Sequence, residues 1–405
     1  MVRRRAVPPD RGGPRLARVG PGGPRLPRCL RPCYASPVSP TDPEPAAPGA
    51  PPRPSLVHLL SLVPEELEAH AAAHGIALRP DEARRLLAAR FAHAGHDPRP
   101  EPVGRKKIAA VEAVCHDARL ELVERVDDPA DGFAKYLFRA PDGLFFEAVR
   151  IPLHKPGRFS VCLSTQVGCA MRCAFCATGR LGLARNLEAW EMVASFLAVR
   201  DEAPGRVTGA LFQGQGEPLQ NTDEVLRAAR VLSHPCGAHV AGRAITISTV
   251  GLVPGILRLA RDKHPYKLIV SMTSLVPERR ARLLPVAART SVAELAAALR
   301  AWHAATGQRI TLGWVLVGGE NHDAAEVAGI LEHFAGVPVC LNLIDVNDPR
   351  EGGLRRATDA ERGALLDRLS ALGIPFIRRY SGGAERHAAC GMLAAVRWEG
   401  AARTA

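Results

Sequence analysis

From residue 158 to residue 380 the chain repeats one pattern, a short apolar run followed by a longer segment with apolar residues three and four apart. Strand-like runs fall near 158–165, 208–214, 244–249, 267–272, 309–317, 338–345 and 374–380. Helical stretches separate them, among them Glu188–Asp201, Thr222–Leu232, Ser291–Thr306, Ala324–Phe334 and Thr358–Leu372. Strands joined through helices of this length do not pair as hairpins; each connection crosses a sheet face and returns a parallel strand. Six or seven such units predict an α/β fold built on a partial (β/α) barrel. Its chemistry then belongs at the carboxyl ends of the strands.

The loop after the first of these strands reads Cys169-Ala-Met-Arg-Cys173-Ala-Phe-Cys176. Three thiolates so close repel one another unless a cation holds them. Iron–sulfur centres take cysteine thiolates, ordinarily four, so three would leave one iron of a [4Fe-4S] cluster open to a non-protein ligand. A zinc ion completed by a distant Cys or His, or buried unligated thiols, fit the spacing less well. The next strand ends in Gly214-Gln-Gly-Glu-Pro218, where glycine lets backbone approach a ligand and Glu217 can accept from an amine. Thr246-Ile-Ser248-Thr-Val-Gly251 and Ser271-Met272-Thr273 end the following two strands with small polar residues. Such residues suit ribose or carboxylate recognition, and equally an ordinary β–α turn.

The rest of the chain is accessory. Residues 1–55 hold fifteen prolines and six glycines with few large apolar residues, too little to offset the entropy of ordering. They are expected to be a disordered tail, and Cys29 and Cys33 there to be incidental. Ten arginines against three acids place +7 of the formal +12 charge in that tail, so a nucleic-acid partner is allowed by charge and not demanded by it. Residues 56–118 turn helical, with acid-rich starts at Pro64-Glu-Glu-Leu-Glu and Leu78-Arg-Pro-Asp-Glu. Residues 119–157 predict a β-hairpin linker turning at Pro141-Asp-Gly, the barrel is placed at 158–395, and 396–405 is a flexible tail. No apolar run is long enough for a membrane span. The clustered cysteines suit metal ligation in a reducing cytoplasm better than disulfides.

Taken together the motifs resemble one family, the radical-SAM RNA methyltransferases that methylate adenosine: the dual-specificity ribosomal and transfer RNA C2 enzymes and their C8-methylating relatives. The likeness runs from about Glu147 to Leu393. It rests on Val161-Cys-Leu-Ser-Thr-Gln-Val-Gly-Cys-Ala-Met-Arg-Cys-Ala-Phe-Cys-Ala-Thr-Gly, Arg185-Asn-Leu, Gly216-Glu-Pro-Leu and Ala389-Cys-Gly-Met-Leu. The resemblance implies that Cys169, Cys173 and Cys176 hold a [4Fe-4S] cluster, with S-adenosylmethionine on its open iron. Gly216, Glu217, Ser248, Ser271, Met272, Thr273 and Asn347 match the cofactor-binding positions. It also implies that Cys390 carries a methyl group, that Cys162 resolves a protein–RNA adduct by forming a disulfide, and that Glu147 is the base. An RNA substrate, an electron donor such as flavodoxin or ferredoxin, and a monomer follow as expectations. Cys115, Cys236 and Cys340 are read as core cysteines.

The sequence departs from the family at three places. Ser271-Met-Thr273 stands where Ser-Leu-His is common, Gly313–Asn321 keeps only the shape of a strand and turn, and Ile344-Asp-Val-Asn347 lacks the usual proline and aromatic. These bear on the cofactor side and on substrate identity. A radical-SAM enzyme with another substrate, or a silent RNA-binding paralogue, are the rival readings. The presence of both Cys162 and Cys390 speaks against each.

Overall fold

A computed structural model gives the structure of the protein and describes residues 56–92, 103–348, 350, 352–379 and 390–393. The tails expected over 1–55 and 396–405, with Cys29 and Cys33, lie outside the described residues. The N-terminal elements are β1 (Val57–His58), the helices α1 (Pro64–Ala73), α2 (Pro80–Phe91) and α3 (Arg105–Ala113), and β2 (Cys115–His116), which pairs with β1 in parallel. Both α1 and α2 open on proline, whose fixed φ suits a first turn, followed by two acids that favour the positive end of the helix dipole. The carboxylates of Glu66 and Glu82 accept the N–H groups of Val63 and Arg79 at 3.1 and 2.9 Å. Leu67, Leu86, Leu87, Phe91 and Val111 are buried in the same apolar cluster as the barrel's own residues.

Three strands follow where the sequence predicts a hairpin linker: β3 (Glu121–Asp127), β4 (Ala134–Arg139) and β5 (Phe145–Pro152). They pair antiparallel, with Gly143 at φ +82° in the expected turn. β5 pairs antiparallel with β6 (Arg158–Leu163), so the three strands extend the barrel sheet. A short hairpin comes next, β7 (Gln166–Cys169) with β8 (Gly182–Asn186). The chain then alternates through α4 (Ala189–Asp201), β9 (Arg206–Phe212), α5 (Thr222–Ser233), β10 (Ile245–Thr249), α6 (Val253–Asp262) and β11 (Lys267–Ser271). It closes with α7 (Pro277–Leu283), α8 (Val292–Thr306), β12 (Ile310–Leu316), α9 (Ala324–Phe334), β13 (Val339–Asp345), α10 (Asp359–Ala371) and β14 (Phe376–Arg378).

The sheet order is β14-β13-β12-β11-β10-β9-β6-β5-β4-β3. β6 and β9 to β14 run parallel, in chain order, which is the partial (β/α) barrel the alternation predicts. Alternate residues face opposite sides of a strand. One row, including Val161, Phe212, Ile247, Val270, Leu312 and Leu341, is buried in the apolar core against the helices. The other row, including Cys162, Leu211, Ser248, Ile269, Ser271, Gly313 and Asn342, lies on the opposite, inner side and mixes small polar with apolar residues. Among the described residues no helix is long and apolar enough to cross a membrane.

Candidate active site

The cysteine loop hangs from the β7–β8 hairpin. Cys169 is the last residue of β7 and pairs with Gly182. Gly168 must be glycine, since a Cβ there would sit 2.0 Å from Gly182 O. Arg185 clamps the hairpin: its guanidinium grips both carboxylate oxygens of Glu191 on α4 at 2.8 Å and reaches Asp142 in the β4–β5 turn at 2.5 Å. Gln166 ties the hairpin to the glycine loop, donating to Asn186 Oδ1 at 2.8 Å and accepting the Glu217 N–H at 2.9 Å. Cys169 and Cys173 are buried and Cys176 half-buried, packed with Phe175, Val250 and Leu284. Burial pushes the Cys169 thiol up to about 11, with Cys176 and Glu217 adding to the shift. Burial, then Cys176 and Cys169, hold Cys173 well above the usual thiol range.

The strand ends beside this loop carry the expected cofactor residues. Gly216 has φ +98°, and a Cβ there would lie 2.6 Å from Gln166 Cβ. A Gly216→Ala change should therefore lower stability by about 2–4 kcal/mol through strain and overpacking. Urea unfolding of the two proteins would show it; equal midpoints would contradict the tight fit. The Glu217 carboxylate accepts N–H groups from Leu219 at 2.9 Å and Val250 at 2.8 Å, fastening the end of β9 to that of β10, and burial raises its pKa. Ser248 and Ser271 lie on the inner row of β10 and β11. Thr273 is fully buried at φ +59°, with no partner for its hydroxyl. Asn321 holds that conformation by donating to Thr273 O at 2.6 Å, and Glu326 accepts from Ser274 Oγ at 2.6 Å and Leu275 N at 2.7 Å.

The C-terminal segment lies over the loop. Gly391 O accepts from Ala177 N at 2.7 Å, and Leu393 O accepts from Thr178 Oγ1 at 2.5 Å. Asn347 donates to Cys390 O at 3.4 Å. Gly391 has φ +84°, and a Cβ there would meet Phe175 O at 2.9 Å. Cys390 as a residue keeps exposed surface. The protein packed round its thiol nevertheless raises the pKa, with Cys176 adding and Arg379 opposing. Cys162 is pushed up to about 12, by burial first and then by Cys390. Residues 391–393 thus run from Ala177 and Thr178, just after the cysteine loop, to the apolar cluster that holds Cys162. Val149, paired with Cys162 across β5 and β6, packs with it and with Leu393. Two residues along β5, on the same side, Glu147 is buried with Lys135 Nζ 3.2 Å from Oε1 and no partner for Oε2. Burial raises its pKa and Lys135 opposes.

The donor set fits an iron–sulfur cluster. Three cysteines of one loop, two of them buried, are the donor type such a centre takes, each thiolate holding its own iron. A glycine cradle, the free Thr273 hydroxyl and two inward serines suit a polar cofactor alongside.

A family model for the radical SAM superfamily matches residues 163–329. A protein named a probable RNA methyltransferase in Myxococcus xanthus is 41% identical over 348 residues, 85% of this chain and 96% of its own. This chain belongs to the radical-SAM RNA methyltransferases. A probable dual-specificity RNA methyltransferase RlmN from Moorella thermoacetica is 35% identical over 83% of this chain and 97% of its own. The crystal structure of a radical SAM methyltransferase from Sphaerobacter thermophilus superposes with a TM-score of 0.75 at 35% identity, over 83% of this chain and 98% of the other. As a radical-SAM RNA methyltransferase of the RlmN type, the protein uses a [4Fe-4S] cluster and S-adenosylmethionine. Motif spacing singled out the thiols. It gave no sign of Asn321, whose hold on Thr273 exists only once distant strand ends meet.

Proposed function

We propose that this enzyme methylates an adenine ring carbon of ribosomal or transfer RNA, C2 in preference to C8, through a methyl group carried on Cys390. The observation that supports the reading is that the segment after Cys390 bonds to Ala177 and Thr178 beside the cysteine loop while its Leu393 packs with Cys162, and that Glu147 shares the face of β5 that carries Val149, the partner of Cys162. Cys169, Cys173 and Cys176 are the cluster ligands, and Gly216, Glu217, Ser248, Ser271, Met272, Thr273 and Asn347 form the cofactor's surroundings. The bound cofactors supply a methyl group and a 5′-deoxyadenosyl radical. The Cys390 thiolate takes the methyl group at sulfur, and Arg379, which favours both thiolates, promotes that ionisation. An amidine carbon is too electron-poor to attack a sulfonium methyl itself, which is why a carrier and a carbon radical are needed. The S-methyl group loses a hydrogen atom to the deoxyadenosyl radical and its carbon bonds to the ring carbon. Glu147 accepts the proton of that substituted carbon at the oxygen that has no protein partner, and the one surplus electron of the adduct would return to the bound cluster. Cys162 then attacks the Cys390 sulfur; the S–C bond breaks, and its electron pair leaves with the methylene, which is protonated to the product methyl group.

Nucleoside mass spectrometry of ribosomal and transfer RNA from a deletion strain tests the reaction: 2-methyladenosine should disappear and return on complementation. Loss of 8-methyladenosine instead would move the reaction to C8. Glu147 gives a pH test. A base must be ionised, and burial holds this carboxyl above its ordinary range. The single-turnover rate should therefore rise with pH through that raised pKa. Glu147→Gln should slow it by roughly 10²–10⁴-fold, as loss of a general base does, and flatten the acid limb. An unchanged acid limb would remove Glu147 from the proton transfer.

A further inference from the structure

We propose that Arg280 is a positioning residue that supplies the buried counter-charge of the thiolate-bound cluster, and so governs how readily the cluster accepts an electron. Arg280 lies on α7 and is only 3% exposed. Its guanidinium donates to three backbone carbonyls at the ends of β10 and β11: Val250 O at 3.1 Å, Ser271 O at 3.1 Å and Met272 O. Its Nε has no partner. Carbonyls satisfy N–H groups but carry no net charge, and a buried guanidinium without an anion is strongly destabilising. The neighbouring arginines of the same helix are paired: Arg279 with Asp323 and Glu326, Arg282 with Glu320. Among the described residues no carboxylate pairs with Arg280.

The cysteine loop packs against the end of the same helix. Leu284 N–H donates to Arg280 O at 2.8 Å, one turn on, and the Leu284 side chain packs against Cys169 and Cys173. Ala174 N–H, inside the cysteine loop, donates to Leu283 O at 3.0 Å. Val250, whose carbonyl takes Nη2, belongs to the same apolar cluster as the three cysteines. The helix that carries Arg280 thus bridges the cofactor-side strand ends, through its guanidinium, and the cysteine loop, through Leu283 and Leu284. Burial pulls its pKa down to about 10, and Cys173 opposes the fall. At neutral pH the side chain is charged. A fixed cation beside thiolate ligands stabilises the form with the extra electron, because net charge tunes iron–sulfur potentials.

Two anions could use this cation, the cluster with its thiolates or the carboxylate of bound S-adenosylmethionine, and the test separates them. The reconstituted full-length protein is titrated potentiometrically with electron paramagnetic resonance detection, without S-adenosylmethionine. Binding of S-adenosylmethionine is measured separately by equilibrium dialysis. Arg280→Gln should reduce the equilibrium constant for cluster reduction about tenfold, a fall of about 59 mV for one electron, while Arg280→Lys should stay near the unaltered protein. An unchanged potential with weakened S-adenosylmethionine binding would overturn the proposal in favour of the carboxylate. Equal shifts in both variants would reduce Arg280 to a scaffold for the strand ends. If Arg280→Gln does not retain iron, Arg280→Lys decides alone. Its potential should fall as pH rises through the lysine pKa, more steeply than that of the unaltered protein. Identical slopes would overturn the assignment. None of these readouts depends on RNA methylation, so failure of the methyl-carrier reading would leave them intact.

Discussion

The Cys162→Ala protein, incubated anaerobically with substrate RNA, should become covalently joined to that RNA, whereas Cys390→Ala should give neither adduct nor methylated product. The two changes remove one sulfur each, and Cys162 packs with Leu393, three residues beyond Cys390. Opposite outcomes are expected because, in the proposed mechanism, the two sulfurs act at opposite ends of the reaction. Without Cys390 there is nowhere to place the methyl group. Without Cys162 the thioether forms and nothing breaks it. A purely structural role predicts neither result: Cys162 packs with Phe133, Val149 and Leu393, and truncation there would cost about 1–2 kcal/mol with no cross-link. A nuclease-sensitive shift on a denaturing gel reads the adduct, and mass spectrometry reads S-methylcysteine at Cys390 in the unaltered protein. Absence of the shifted band, with unaltered protein active in parallel, would overturn the role given to Cys162.

How much of this was legible beforehand follows from the range of each interaction. The β/α alternation is local, so apolar period and turn residues were enough to place the parallel strands. β3 is not marked as sheet because its burial has no two-residue period: only Val123 and Val126, three apart, are half-buried, and the other five residues are exposed. α6 begins at Val253-Pro-Gly, which reads as a turn. Pro254 in fact sits in the first turn, where its missing N–H is harmless. Gly255 is needed because a Cβ would lie 2.8 Å from Leu219 Cβ. At the site, the three thiols of the cysteine loop lie within eight residues and announce themselves. Arg280 does not: it stands in the run Arg279-Arg280-Ala281-Arg282, and only helix phase decides which of the three arginines is buried. Thr273, where the family commonly has histidine, keeps a left-handed backbone and an unpaired hydroxyl. That loop conformation is held by Asn321, 48 residues away.

Replacing Cys169, Cys173 or Cys176 with Ala should reduce iron from on the order of four per chain to a small fraction of that, since a [4Fe-4S] centre needs its thiolates, and should end methylation altogether. The loss should be confined to the loop. Cys169 and Cys173 belong to a small apolar cluster with Leu284, separate from the main core beneath the helices. The hairpin that carries them is held from outside the loop, by Arg185 on Glu191 and Asp142 and by Gln166 on Asn186 and Glu217. Each variant should therefore stay folded, with unfolding midpoints close to that of the unaltered apo-protein, while the brown colour and the iron disappear. That pairing of outcomes matters, because a variant that merely unfolds would lose iron for an uninformative reason. Iron and sulfide analysis after anaerobic reconstitution, read beside thermal unfolding, distinguishes the two. Stoichiometric zinc with no iron in the unaltered protein would overturn the cluster assignment. Full iron in any one of the three variants would remove that cysteine from the ligand set.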